Sequence, residues 1–367
     1  MLSAAALAFA MASCGSRTGL FGPEGASSGV SPQNDGSFPP LDAPSKEAPT
    51  EAPLPCVPGK FDLEAATAQL MFVIDRSRSM AQSLSGQDPP PAGQQSRWTI
   101  LRNGLMQTIL GFDNQIAMGA KFYPESGFAP QLQCLTENKI DIAPKLGNAQ
   151  AIVSIFDQTS PLGGTPTADA IKVAADNLTK TRAVARTMVL ATDGAPNCNF
   201  DHPKVPCVCT SASGSCGSDP DVSLCLDDTR TVNLIKSIAD TEKVPTYVIG
   251  LGDFDRIEFR NTLDAMAVAG GRPRAGTPKY YSVQTPEDLD GALTGIRDSV
   301  AKCTFLTPSA PTDPDKITIE VNGGTILRDK THTDGWDWAD QAYGIVQFYG
   351  TACDKAQGKV TGIVTCQ

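Results

Sequence analysis

The sequence predicts an α/β fold: a Rossmann-like open, mostly parallel sheet flanked by helices, with a small C-terminal β appendage. Three observations predict it. Apolar runs at 70–74, 187–191 and 246–250 are continuous rather than alternating, the pattern of strands covered on both faces. Helix-period segments alternate with these runs, as right-handed crossovers require. Beyond Cys303 the pattern changes to alternating runs with a hairpin signal.

In chain order, the run at 70–74 is the first buried strand. Residues 98–112 have helical spacing through Ile100, Leu101, Leu105 and Ile109, and 115–123 reads as a second strand, with Cys134 beyond it in a hairpin region. Helices are expected at 149–156 and 167–178, then a strand at 187–191 and a helix at 229–239. A strand at 246–250, a helix at 256–268, a strand at 280–283 and a helix at 286–301 complete the α/β unit. In the tail, 304–314 is rich in Pro and Thr. Residues 317–321 alternate before Asn322-Gly323-Gly324, and 345–349 and 360–364 read as further strands.

A chain of 367 residues that is 41% apolar can bury a sizeable core. Its net charge of −10 and the lack of a dense Lys/Arg run argue against a nucleic-acid partner, which needs a basic face. Eleven cysteines against two histidines point to disulfides and an oxidising compartment.

The start of the chain agrees with export. Residues 2–12 form an apolar run too short to span a bilayer but long enough for a signal-peptide core. It ends in Met11-Ala12-Ser13-Cys14, which resembles a bacterial lipobox; Met11 stands where Leu is usual, and no Lys or Arg precedes the run. Cys14 is therefore the candidate lipidation site, anchoring the mature protein to a membrane. Residues 15–55 hold eight prolines among Gly, Ser, Asp and Glu and read as a disordered, stiff tether. Extended, it would reach on the order of 100 Å. The expected domains are thus 1–14 (signal), 15–55 (tether), 56–303 (α/β domain, with a Cys-rich insertion at 195–227) and 304–367 (β appendage).

The chemistry lies in three short segments. Asp75-Arg76-Ser77-Arg78-Ser79 follows the first buried strand, and Thr192-Asp193-Gly194 follows the third. Gly163-Gly164-Thr165-Pro166-Thr167 leads into a helix. Ligands of open α/β sheets collect at the carboxyl ends of strands near a topological switch point. If the segments meet there, two carboxylates and three hydroxyls surround one point, an oxygen cage suited to a hard divalent cation.

In this order, Asp75-x-Ser77-x-Ser79, Thr165 within Gly-Gly-Thr-Pro, and Asp193 within Thr-Asp-Gly resemble the metal-ion-dependent adhesion site of von Willebrand factor type A domains. The resemblance spans residues 68–302. It implies that Ser77 and Ser79 bind the cation through their hydroxyls, and that Thr165 binds directly or through water. Asp75 and Asp193 would supply charge, largely through bridging waters. So few direct anionic contacts leave the ion electrophilic, with a position open to a partner's carboxylate. Mg²⁺ is the expected ion, with Mn²⁺ or Ca²⁺ as alternatives.

One departure from the family pattern is Arg78, which stands where many bacterial members carry Gly. Because the metal-binding side chains occupy alternate positions, Arg76 and Arg78 are expected to point outward as a rim that attracts an acidic partner. Asp253 and Asp255, after Gly250-Leu251-Gly252, belong either to the same rim or to the cap of the next helix.

Lipidation of Cys14 would leave ten cysteines to pair: Cys56, Cys134, Cys198, Cys207, Cys209, Cys216, Cys225, Cys303, Cys353 and Cys366. Five of them lie in the insertion, so at least one must pair outside it, and Cys134 is the expected partner. Cys56 with Cys303, and Cys353 with Cys366, are the expected clasps of the domain and tail. The alternative for part of the insertion is a zinc site of Cys198, His202, Cys207 and Cys209.

These features imply a non-catalytic adhesion or ligand-binding protein of a bacterial cell envelope. An envelope scaffold with a structural metal is the alternative. A metal-dependent hydrolase is less favoured, since no nucleophile-elbow or His-Glu-x-x-His motif is present.

Overall fold

The computed structural model describes residues 52–127, 133–178, 184–203, 207–211, 216, 222–252 and 256–366. The apolar start, Cys14, nearly all of the tether, Asp253 and Asp255 lie outside the described residues. Among the described residues no helix is long and apolar enough to cross a membrane.

The chain begins with two short strands, β1 (Gly59–Asp62) and β2 (Glu64–Ala65), and then enters β3 (Thr67–Asp75). There follow α1 (Arg97–Ile109), β4 (Ile116–Tyr123), β5 (Ile142–Lys145), α2 (Ala149–Gln158), α3 (Thr167–Asp176) and β6 (Val184–Thr192). Next come α4 (Asp228–Ser237), β7 (Thr246–Leu251), α5 (Ile257–Ala269), β8 (Tyr281–Val283) and α6 (Pro286–Lys302). The tail carries β9 (Thr304–Leu306), β10 (Ile317–Val321), β11 (Gly324–Ile326), β12 (Gly335–Asp340), β13 (Ile345–Tyr349), α7 (Thr351–Lys355) and β14 (Val360–Val364).

The central sheet has the order β5-β4-β3-β6-β7-β8, and only the edge strand β5 is antiparallel to its neighbour. Alternate residues of β3 explain its unbroken apolar run. Leu70, Phe72 and Ile74 face a core with α1, α2 and α6, whereas Met71 and Val73 face one with α3, α4 and α5. Trp98 and Phe156 join Phe122 of β4 in the first core, with ring centroids 4.3–6.0 Å apart. Local capping agrees with the global fold. The Ser96 hydroxyl accepts from Thr99 N at the start of α1, and Thr285 and Asp288 form a capping box ahead of Pro286 on α6. This α/β unit, with its six-stranded, mostly parallel sheet and helices on both faces, has the open α/β architecture that the sequence predicts.

The tail differs from expectation in its boundary. Two four-stranded antiparallel sheets, β1-β14-β10-β11 and β12-β13-β9-β2, share a core that includes Leu63, Phe305, Ile319, Trp336 and Phe348. Residues 59–65 therefore belong with the tail sheets and not with a domain that starts at 56. The physical reason is hydrogen bonding. β14 is paired on both edges, by β10 and by β1, so it requires a strand from the opposite end of the chain. The α/β unit is thus inserted between β2 and β9.

The same pairing overturns the expected clasps. Cys56 bonds Cys366, and Cys303 bonds Cys353. The antiparallel register sets Gly59 opposite Val364, which brings Cys56 beside Cys366. Phe348 N donates to the Cys303 carbonyl at 2.8 Å, leaving Cys303 next to the α7 turn that holds Cys353.

Candidate metal centre

β3 and β6 are parallel neighbours, with Ile74 opposite Ala191. The chain leaves β3 toward β4 on one side and leaves β6 toward β7 on the other, so a switch point lies between their carboxyl ends. Asp75 and Asp193 sit there. One Asp75 oxygen accepts from Ser77 N at 2.7 Å, and the other accepts from the Thr192 hydroxyl at 2.6 Å. The Ser77 and Ser79 hydroxyls lie 3.0 Å apart, and Ser79 Oγ donates to Asp193 Oδ1 at 2.9 Å. A side chain of the first segment thus bonds directly to one of the third, 114 residues away. Although Ser77 precedes a short 3₁₀ turn (Arg78–Ala81), its hydroxyl caps nothing there. The two serine hydroxyls are spent on each other and on Asp193 rather than on backbone donors.

The second segment reaches the same place through its glycines. Gly163 has φ +91°, and a Cβ on it would come within 2.7 Å of the Gln133 carbonyl. One on Gly164 would come within 2.6 Å of Cys198 Sγ. Only a bare backbone passes beneath the Cys134–Cys198 disulfide. Arg78 N donates to the Gly163 carbonyl at 3.0 Å, and Thr165 is clamped by Asn197. Thr165 N donates to Asn197 Oδ1 at 2.6 Å, and Asn197 N donates to the Thr165 carbonyl at 2.9 Å. Ser77, Ser79, Thr165 and Asp193 then line one open basin of about 910 Å³, with Asp75 fully buried beneath it.

Burial pushes the Asp75 carboxyl well above the usual carboxylate range, and the neighbouring Asp193 charge pushes it further. Asp193 is also raised by burial, against the opposing pull of Arg97. Buried, mutually repelling carboxylates beside convergent hydroxyls form a hard-oxygen donor set that suits a small divalent cation. Among the described residues no group of three or more His, Cys, Asp or Glu side chains converges, so this centre would depend on its hydroxyls.

Two side chains at this site were not anticipated. Asn197 clamps Thr165, and the Arg97 guanidinium donates to Asp193 Oδ2 at 2.7 Å, with side-chain exposures of 6% and 0%. Sequence did carry a signal for Arg97. It opens α1 directly after the Ser96 cap, at the positive end of the helix dipole, where a cation is disfavoured without a carboxylate partner.

The arginine rim needs correction. Arg76 does not point outward; it is buried and donates through Nε and Nη2 to the Pro124 carbonyl at 3.2 and 2.7 Å. Its backbone continues the pairing with β4 through Tyr123 O. The side chain thus falls over the end of that strand, 5.9 Å from the Phe122 ring, where a carbonyl needs a donor. Arg78 is exposed, with a 3.4 Å contact to Asp88, and lines the basin.

The Cys-rich insertion forms one wall of the basin, contributing Asn197, Cys198, Phe200 and Thr210. Cys134 pairs with Cys198, as expected, and Cys207–Cys225 and Cys209–Cys216 complete the set. The zinc alternative falls because those thiols are committed to disulfides and His202 Nδ1 sits 2.6 Å from the Pro203 carbonyl. Five disulfides of this kind belong to a protein folded in an oxidising compartment.

No protein-family model matches the chain, and no curated protein matches it. Solved structures similar to it include the PilB minor pilin from Streptococcus sanguinis, at 19% identity over 65% of this chain and 62% of that one (TM-score 0.45). Another is the pilus adhesin SpaC from Lactobacillus rhamnosus GG, at 16% identity over 83% of this chain and 41% of that one (TM-score 0.44). A third is the vWF domain of the type V pili tip protein Mfa5 from Porphyromonas gingivalis, at 13% identity over 63% and 94% (TM-score 0.41). The chain spans less than two thirds of PilB and less than half of SpaC. Likenesses this distant say nothing about ligand or partner.

Proposed function

We propose that this chain is a non-catalytic adhesion or ligand-binding module of a bacterial cell envelope that takes an acidic group of a protein partner through a divalent cation. The observation that carries the reading is the meeting of three distant segments. Ser79 bonds Asp193, and Thr165 lines the same basin. Ser77, Ser79 and Thr165 would hold Mg²⁺ through hydroxyl oxygens, with Asp75 and Asp193 balancing its charge. Bound there, the ion supplies an electrophilic position for a carboxylate.

The chain's own residues prepare that position. The Thr192 hydroxyl and Ser77 N fix Asp75, Asn197 fixes Thr165, and the Cys134–Cys198 bond ties the wall of the basin to the loop after β4. A rim held in this way loses little freedom on binding. Arg78 adds a second attraction for an acidic partner, and Phe200, 66% exposed on the wall, offers an apolar anchor. Export, lipidation at Cys14 and display on the proline-rich tether complete the reading.

The test is binding of the purified chain to envelope proteins in Mg²⁺ or Mn²⁺ against EDTA, for wild type and Asp75→Ala. Capture lost in EDTA and in the variant, with the circular dichroism spectrum retained, supports the reading. Capture that persists through both treatments refutes it.

A further inference from the structure

We propose that Arg97 is an internal counter-cation that competes with the divalent ion for Asp193 and sets the affinity of the centre; this rests on the metal-site reading above. Both oxygens of Asp193 are already engaged. Oδ2 accepts from Arg97 Nη1 at 2.7 Å and Oδ1 accepts from the Ser79 hydroxyl at 2.9 Å. Arg97 Nη1 also lies 3.4 Å from the Ser79 carbonyl, which places the guanidinium against the loop that carries both serine donors. With both carboxylates ionised, the pair Asp75 and Asp193 would present two negative charges; Arg97 reduces that to one.

The arginine is seated rather than loosely placed. A Cβ on Gly252, whose φ is +108°, would come within 2.8 Å of both Arg97 Nε and Nη2, so the seat exists only because that residue is glycine. Arg97 Nη2 lies 3.5 Å from the Leu84 carbonyl, and Nε is buried without a hydrogen-bond partner. One strong bond to Asp193 therefore holds a buried cation whose other donors are poorly satisfied. A divalent ion entering the basin meets a carboxylate already in use and a like charge nearby, and both weaken its binding. Affinity would then depend on how readily Asp193 is shared, which suits a site that responds to abundant extracellular cation.

The experiment measures Mn²⁺ affinity of the full chain by electron paramagnetic resonance, with no partner present, for wild type, Arg97→Gln, Arg97→Met and Arg97→Lys. Removing a unit charge from beside a doubly charged ion, taken as about 5 Å away at an effective dielectric of about 40, tightens binding about a hundredfold or more. Arg97→Gln and Arg97→Met are expected to show that gain, while Arg97→Lys, which keeps the charge, stays near wild type. Because loss of Arg97 leaves Asp193 unpaired, thermal unfolding is followed in parallel. The neutral variants should melt earlier than wild type in EDTA and gain more from Mn²⁺ than wild type does. Binding by the neutral variants alone also supports the inference. Equal or weaker affinity in them, with wild type binding normally, overturns it and leaves the metal site standing. Absence of Mn²⁺ binding from every form, or binding that survives Asp75→Ala, overturns the metal-site reading itself.

Discussion

Asp193→Ala is the most informative single perturbation, because its effect on stability follows from the side-chain geometry alone. The change removes the only carboxylate bonded to Arg97 among the described residues and leaves a guanidinium that is 6% exposed. It also takes the acceptor from the Ser79 hydroxyl. Breaking a buried pair at one partner costs about 3–5 kcal/mol, most of it the penalty for the stranded charge. Arg97→Met strands Asp193 in the same way and should cost a similar amount. The double variant strands neither, so its loss should fall below the sum of the two by about 2 kcal/mol or more. The assay is urea unfolding by circular dichroism in EDTA with disulfides intact, so that no added cation compensates. Additivity within about 0.5 kcal/mol would show that the two side chains act independently and would refute the reasoning.

Two further outcomes are expected. Cys134→Ser with Cys198→Ser opens a link of sequence separation 64, which should cost up to about 4 kcal/mol. It should also speed amide exchange at residues 197–202 before it does so in β3; unchanged exchange there would separate the disulfide from rim order. The Asp329 carboxylate accepts from Thr331 N, Thr331 Oγ1, Thr333 N and Asp334 N at 2.6–2.9 Å. The Thr331 hydroxyl and the backbone donors hold its pKa well below the ordinary value. A depressed acid contributes stability that is complete above its unfolded pKa, about 4, and is lost as the pH falls further toward the folded value. Thermal midpoints of wild type should therefore drop more steeply below about pH 4 than those of Asp329→Asn; parallel slopes would rule this out.

Much of the α/β unit was legible because burial writes itself into sequence. The run through Leu70 and Ile74 is unbroken since helices cover both faces of β3, and the strand observed extends it by only a few residues. The spacing of Ile100, Leu101, Leu105 and Ile109 foretold α1 for the same reason. Strands β10, β13 and β14 were found at the expected positions. Strands β1, β2, β5, β9 and β12 were not read: all but the six-residue β12 are only 2–4 residues long, and the pairing partners of β1, β2 and β9 lie far away in sequence. A segment that short carries no period of its own, so its state is decided by the strand beside it. The fate of Arg76 has a similar cause. Alternation was expected to turn Arg76 and Arg78 the same way, but Arg76 still pairs with the end of β4 and is buried, whereas Arg78 lies in the following 3₁₀ turn and is exposed.

What the chain determined alone was the set of polar groups that gather at one sheet edge: the carboxylates of Asp75 and Asp193 after buried strands, the hydroxyls of Ser77 and Ser79 beside them, and Thr165 ahead of a helix. Local composition suffices for that, because period and side-chain chemistry are properties of short stretches. Tertiary structure decided the partners. It gave Asp193 to Arg97, Thr165 to Asn197, Cys56 to Cys366, and residues 59–65 to the tail sheets. Each of these pairs joins residues at least 32 positions apart, and such contacts are chosen by the packing of the whole fold rather than by any pattern the neighbouring residues carry.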